Sequence, residues 1–166
     1  MKRTRFDQAP CPIARTTDLM GDWWTPVVMR EAFFGCRRFD QFQARLGVSR
    51  ATLTQRLERL VEEGLLEKVG YQEHPPRYEY VLTTKGLAFW DVLAAMWRYG
   101  DDWLFPDEGG APIRLTRLDD GETYNARVVD ERTGDHLDHR SLKVRRAVRT
   151  AVTQTVRSEP VSPSPT

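Results

Sequence analysis

Apolar positions along this chain recur at helical spacing over most of its length and switch to strand-like runs over two short stretches near the middle. After a polar lead-in, Cys11-Pro12 opens a helical pattern with proline at the favoured first position, continuing through Ile13, Leu19 and Met20 to the breaker Gly21. A second helix is expected from Trp23 to Phe34, carrying Trp24, Val27, Val28 and Phe34 toward a core and stopping at Gly35. Phe39, Phe42 and Leu46, spaced i, i+3, i+7, predict a short third helix that Gly47 ends. Gly47-Val48-Ser49 then forms a tight link ending in a good N-cap, and a fourth helix runs from Ser49 to Gly64 with Leu53, Leu57, Leu60 and Val61 as one apolar stripe. With about 3.6 residues per turn, Thr52, Gln55 and Arg59 fall on the face away from that stripe, with Thr54 and Arg56 on its flanks.

Beyond Gly64, Leu65–Tyr71 and Arg77–Leu82 have strand composition and are separated by Gln72-Glu73-His74-Pro75-Pro76, a hairpin with a polar, proline-stiffened tip. Thr83-Thr84-Lys85-Gly86 caps a last long helix expected to reach Leu104, with Phe89, Trp90, Leu93, Met96, Trp97, Tyr99 and Trp103 spread around it. A helix apolar on more than one face needs more than one burying surface, here its own core and a partner subunit. Pro106–Gly110 marks the clearest boundary. Past it, Ile113–Leu118 and Glu122–Asp130 flank the turn signal Asp119-Asp120-Gly121, and His136–Val144 is a candidate third strand. So short a piece makes a weak core alone and is expected to lean on the main domain. Val144, Val148, Val152 and Val156 recur every four residues among Arg145, Arg146, Arg149 and Arg157, a basic amphipathic pattern that β-branching disfavours as a helix. Ser158–Thr166 has the composition of a disordered tail. The organisation predicted is a flexible lead over residues 1–10, a helix-turn-helix domain with a β wing over 11–105, a small β appendage over 111–144, and a basic segment with a tail over 145–166.

Charge sharpens this picture. The 166 residues carry a formal net charge of only +1, which excludes a histone-like polycation, but the distribution is uneven. Residues 1–60 hold 11 basic and 6 acidic side chains, residues 61–110 hold 4 and 10, and residues 111–166 hold 10 and 8. A basic N-terminal third beside an acidic middle makes a directional surface whose positive part suits phosphates. Two cysteines, Cys11 and Cys36, are too few for a disulfide scaffold, and neither a CxxC pair nor a zinc-spaced Cys/His cluster occurs. The charged start lacks an apolar region behind it, and no run approaches the ~18 apolar residues of a membrane span. The expectation is a cytoplasmic protein with no membrane partner.

The Ser49–Arg59 helix has the chemistry for reading DNA, because the major groove admits a helix and presents a distinct donor and acceptor pattern for each base pair. Arg50 and Arg59 can reach guanine edges or phosphates, Gln55 can pair with adenine, and Thr52 and Thr54 can meet thymine or phosphate; Ser49 and Arg56 complete the set. The plainer reading is an exposed polar helix, since helix-turn-helix geometry is shared by many all-α proteins. A two-stranded wing directly downstream favours DNA, with Arg77 placed to touch the neighbouring backbone or minor groove and His74 a solvated loop residue.

Many ordered stretches resemble one family. Cys11-Pro12, Gly21-Asp22-Trp23-Trp24, Arg38-Phe39-Asp40-Gln41-Phe42, Val48 through Leu57, Glu62-Glu63-Gly64-Leu65-Leu66, Pro75 through Tyr80 and Leu82-Thr83-Thr84-Lys85-Gly86 are similar to the HxlR-type winged helix-turn-helix transcriptional regulators over roughly residues 11–104. The resemblance implies a homodimer joined through N- and C-terminal helices, with Ile13, Trp90, Leu93, Trp97 and Trp103 as candidate contacts. Paired recognition helices would then sit on a double-stranded, pseudo-palindromic operator with half-sites ~34–36 Å apart. It also implies a thiol-sensor role for a cysteine before the proline, here Cys11, which stands at a helix N-terminus one turn from Arg15. Cys36, between Gly35 and Arg37-Arg38, is less typical of that pattern.

The C-terminal piece resembles a zinc-ribbon-like appendage in which Asp120, Asp130 and Thr133 stand where cysteines belong, near the turn residues Gly121 and Gly134. With no thiolate there, a metal-free ribbon-like β fold is expected, against an alternative that recruits Asp120, Asp130, His136 and His139 as a carboxylate and imidazole site. No nucleophile with a base, paired catalytic carboxylates or glycine-rich phosphate loop is convincingly placed, so neither an enzyme nor a cofactor is expected. Trp23, Trp24, Phe33, Phe34, Trp90, Trp97 and Trp103 read as core or dimer seam, and also as walls for a small-molecule effector. The function expected is a sequence-specific DNA-binding regulator, a dimeric repressor answering a small molecule or thiol-reactive stress. The alternative is a winged-helix module that binds protein or ligand and not DNA.

Overall fold

The computed structural model describes residues 5–105, 111–123, 126–137, 140 and 142. Among them the order is α1 (Pro12–Met20), α2 (Trp24–Phe33), α3 (Phe39–Leu46), α4 (Arg50–Glu62), β1 (Leu66–Gln72), β2 (Arg77–Leu82), α5 (Thr84–Ala88) and α6 (Trp90–Trp103). The expected boundary at 106–110, His139 and the whole basic segment and tail from residue 143 lie outside the described residues. The chain divides into two units, residues 1–127 and 128–166.

Each helix begins and ends where its sequence requires. Gly21 stops α1 at φ 66° and Gly47 stops α3 at φ 64°, backbone that glycine adopts without a Cβ penalty. α2 has no cap from Trp23. Its start is secured one residue earlier by Asp22 Oδ1, which accepts from the Trp24 and Thr25 amides at 2.7 and 3.2 Å. The core gathers Val28, Met29 and Ala32 from α2, Phe42 from α3, and Leu53, Leu57 and Leu60 from α4. Cys36 before α3, Leu65, Leu66 and Tyr80 from the hairpin, and Phe89 and Leu93 beside or within α6 complete it. This corrects the expected inner face of α2. Val28 is buried, but Trp24 and Val27 are only half-buried and Phe34 is exposed, its ring edge-on to Trp97 at 6.1 Å, while Met29 takes the fully buried place.

β1 and β2 pair antiparallel from Leu66↔Leu82 to Gly70↔Tyr78, with a register irregularity before Gln72↔Arg77. The segment before α3 joins this wing's edge, since the Tyr80 amide donates to the Arg37 carbonyl at 2.7 Å and Arg38 bridges to Glu79. The single long C-terminal helix expected from Thr83 is two helices. The Phe89 amide reaches back only to Gly86, and the buried Phe89 ring anchors the bend before α6.

The Thr-Thr-Lys-Gly stretch ties this corner to α4. Thr83 Oγ1 accepts from the Gly86 amide at 3.0 Å and donates to the Gly64 carbonyl at 2.6 Å, and Lys85 Nζ donates to the Glu63 carbonyl. A Cβ added at Gly86 would collide with the Leu65 carbonyl oxygen.

The start of the C-terminal segment rests on α6, where the Ala111 amide donates to Asp101 Oδ1 at 2.9 Å. Its first turn closes with the Arg117 amide donating to the Glu122 carbonyl and a bridge between Thr116 and Thr123. Arg117 grips Asp119 through two hydrogen bonds, which hold that carboxyl below the usual range. In the second unit, Asp130 Oδ1 caps its own turn by accepting from the Arg132 and Thr133 amides, and Val129 bridges to His136. Among the described residues, no three His, Cys, Asp or Glu side chains converge as metal ligands.

Because the Gly86 position admits no side chain without displacing the Leu65 carbonyl just before β1, Gly86→Ala is expected to destabilise the protein by about 1–3 kcal/mol. Thermal unfolding followed by circular dichroism checks it, and an unchanged midpoint would show that α5 can slide away from Leu65 freely.

Candidate nucleic-acid interface

α3, the Gly47 turn and α4 form the helix-turn-helix, and Ser49 locks its second helix in place. Ser49 Oγ accepts from the Thr52 amide at 3.1 Å and lies 2.9 Å from Thr52 Oγ1, so both hydroxyls are engaged at the cap. The apolar stripe then fixes which residues look outward. Arg50, Ala51, Thr54, Gln55 and Glu58 are exposed, whereas Thr52, Arg56 and Arg59 are half-buried. The outward face is therefore turned from the one that helical periodicity alone gives, because the loop between α1 and α2 covers one flank of α4.

On that flank Arg56 Nη1 meets Asp22 Oδ2 at 2.7 Å, and Arg56 Nε is buried without a partner. Arg59 pairs with Glu63, and Arg5 lies 3.5 Å from the buried carboxylate of Asp18. These guanidiniums are matched by carboxylates. The opposite flank, toward the wing, differs. There a recess of about 390 Å³ is bordered by Arg38, Arg50, Lys68 and Arg77 with Phe39, Tyr71 and Tyr78. Arg50 also donates to Gln43 Oε1 at 3.2 Å. Neither Arg38 nor Lys68 was singled out for DNA contact from the sequence. Alternation along β1 and β2, which brings Lys68 and Tyr78 to one side, was the available signal.

The two cysteines occupy contrasting places. Cys11 is exposed at the N-cap of α1, and Arg15 Nε is engaged by the Ala9 carbonyl at 2.6 Å. Cys36 is buried, and that burial pushes its thiol up, with nearby Arg45 pulling down and Glu31 pushing further up. Of the candidate dimer contacts, Ile13 is 77% and Trp103 69% exposed, Trp90 and Trp97 are half-buried against Phe33 and Phe34, and Leu93 is buried in the protomer's own core. Trp23, 81% exposed, edges a recess of about 580 Å³ with Phe6, Met20, Pro26, Val27 and Met96. No helix among the described residues is long and apolar enough to cross a membrane.

Comparison with known proteins agrees with this architecture. The family model for the HxlR-like helix-turn-helix matches residues 19–108. The uncharacterised HTH-type transcriptional regulator Rv3095 of Mycobacterium tuberculosis is 38% identical over 130 residues, 78% of this chain and 82% of that protein. Among solved structures, PA1607, described as a candidate transcription factor, superimposes with a TM-score of 0.77 at 37% identity, covering 87% of this chain and all of the other. The reduced form of the redox regulator HypR has a TM-score of 0.52 at 26% identity, over 55% of this chain and 92% of its own. With the wing, the capped recognition helix and these matches together, the chain belongs to the HxlR-like helix-turn-helix family of DNA-binding transcriptional regulators.

Proposed function

We propose that this protein is a homodimeric, operator-specific repressor in which the N-terminal half of α4 reads the major groove. The observation that carries this reading is the exposed set Arg50, Ala51, Thr54 and Gln55 at the start of a rigidly capped helix, beside a cationic wing. Helices of this kind present their first turns to base edges. Arg50 supplies a pair of donors, Gln55 one donor and one acceptor, Thr54 a methyl and a hydroxyl, and Ala51 lets the helix approach closely. Glu58 and Glu62, also exposed, would repel phosphates and so restrict docking to the first half. Ser49 and Thr52 act through the cap and Arg56 and Arg59 through their carboxylates, leaving Arg77 for the backbone.

The exposed apolar side chains of α1 and α6, Ile13 and Trp103 foremost, support a dimer seam that sets half-site spacing. An operator-bound dimer blocks polymerase most simply, hence a repressor. Cys11 is the accessible thiol for an electrophile or oxidant, and the recess beside Trp23 suits an apolar effector. Either would act by shifting the helices at the seam, a coupling of ~1–3 kcal/mol.

Three outcomes test this reading. Arg50→Ala and Gln55→Ala are each expected to cost ~1–3 kcal/mol of binding and to relax sequence preference, whereas Arg77→Ala weakens all sequences alike. Fluorescence anisotropy on the DNA upstream of the protein's own gene, against a scrambled duplex, measures both, and a uniform loss from all three variants rules out the division of roles. Trp103→Ser, altering an exposed residue, is expected to shift sedimentation toward monomer without lowering helicity; an unchanged dimer would place the seam elsewhere. Iodoacetamide on the native protein is expected to label Cys11 and spare Cys36 near pH 8, because burial keeps the Cys36 thiol protonated. Equal labelling by mass spectrometry would contradict that contrast.

A further inference from the structure

We infer that the recess between the start of α4 and the wing is a phosphate seat, in which Arg38 and Lys68 join Arg77 in gripping the DNA backbone, with Arg50 at its border with the groove that α4 enters. This rests on the DNA-reading function proposed above and assigns to it two residues from outside the recognition helix. Three elements converge on the recess: the N-terminal edge of α3 through Arg38, the first residue of α4 through Arg50, and both wing strands through Lys68 and Arg77.

The way these cations are held distinguishes them from the other cations around α4. The Arg38 guanidinium lies 4.6 Å from the centre of the Tyr71 ring, that of Arg50 4.8 Å from Phe39, and Lys68 Nζ 4.3 Å from Tyr78. An aromatic face orients a cation and leaves its charge in place. Only Arg38 also meets a carboxylate, Glu79 at 3.1 Å. Asp40 lines the recess as well, so four cations face two carboxylates and a surplus of two positive charges remains. Across the helix, Arg5, Arg56 and Arg59 are each neutralised by Asp18, Asp22 and Glu63.

A concave, open, cation-rich recess at a helix start matches a phosphodiester, and the exposed amide end of α4 adds its own favourable field. A free phosphorylated molecule presents the same chemistry, and the recess's continuity with the base-reading face favours the backbone.

The test is a salt titration of binding by the full-length protein to a scrambled duplex and to the DNA upstream of its own gene. Each phosphate contact contributes about 0.9 to the slope of log K against log salt. In a homodimer each substitution removes two such contacts, so Lys68→Ala and Arg38→Ala are each expected to lower that slope by about two on both duplexes, and Lys68→Arg to restore it. Tyr78→Leu, which keeps every charge, is expected to weaken binding several-fold with the slope unchanged, as a positioning residue should. Arg98→Gln, on α6 and paired with Asp102, is expected to leave the slope as it is. Circular dichroism melts separate these effects from unfolding, and Lys68, exposed on β1, is the variant least tied to the fold.

Unchanged slopes in Lys68→Ala and Arg38→Ala, with a steep wild-type slope, would overturn the seat and leave DNA reading intact. A wild type without salt-dependent binding to either duplex would overturn both. Inorganic phosphate or a nucleoside monophosphate that binds the wild type but not Lys68→Ala, while the salt slopes on DNA stay unchanged in Lys68→Ala and Arg38→Ala, would reassign the recess to a soluble ligand and overturn the backbone contact.

Discussion

The Asp22 carboxylate holds two helices at once, and the orientation of the recognition helix depends on it. One oxygen accepts the first amides of α2 and the other takes the Arg56 guanidinium of α4. Burial of Leu53, Leu57 and Leu60 sets how deeply α4 sits, but an apolar stripe tolerates some rotation about the helix axis. A directional ion pair does not. It draws the Thr52, Arg56 and Arg59 flank toward the α1–α2 loop and turns Arg50, Ala51, Thr54 and Gln55 outward. The pair is half-buried, and beyond any energetic contribution it fixes the roll of the outward face. The same loop borders the recess beside Trp23, and Asp22 itself lines it, so a candidate effector surface includes the residue that anchors α4.

Much of this fold was legible from local signals. Ser49 as a cap, glycines at the helix ends, the Leu53–Leu57–Leu60 stripe and the two strands around a proline-bearing tip are chemistry read over a few neighbouring residues, and the helix-turn-helix with its wing followed from them. What was not legible depended on partners distant in sequence. Phe34 follows the helical pattern of α2 yet faces outward, because Cys36 and Met29 already fill the core there. The bend at Phe89 is set by the approach of α5 to the Leu65 carbonyl, which the continuous apolar pattern from Thr83 to Leu104 conceals. Arg56 reads as a free cation until Asp22, 34 positions earlier, is placed beside it.

The C-terminal turns show how a local shape can persist on different chemistry. Glycine at positive φ closes each, Gly121 at 72° and Gly134 at 75°. In the first, Arg117 gathers the carboxylates of Asp119 and Asp120, and in the second Asp130 accepts amides of its own turn. Hydrogen bonds and ion pairs so placed satisfy the backbone donors that the turn exposes. The aspartates at the positions where the ribbon pattern expects cysteines are thereby occupied in holding the turns.

Segment charge is a poor guide to where this protein presents a positive field. The basic N-terminal third uses five of its nine described arginines in ion pairs away from the wing: Arg5 meets Asp18, Arg30 and Arg45 clamp the buried Glu31, Arg56 holds Asp22, and Arg59 reaches Glu63. The acidic middle, which composition would assign to repulsion, supplies Lys68 and Arg77 to the wing. Its other two cations are engaged, Lys85 with the Glu63 carbonyl and Arg98 with Asp102. A phosphate responds to charge within about a Debye length, ~10 Å at ordinary salt, so it meets four cations at the wing recess and paired charges at the opposite flank. The field that matters is decided by the surplus of cations over carboxylates that the fold leaves in one place, and the aromatic rings beside Arg38, Arg50 and Lys68 hold these cations without cancelling their charge.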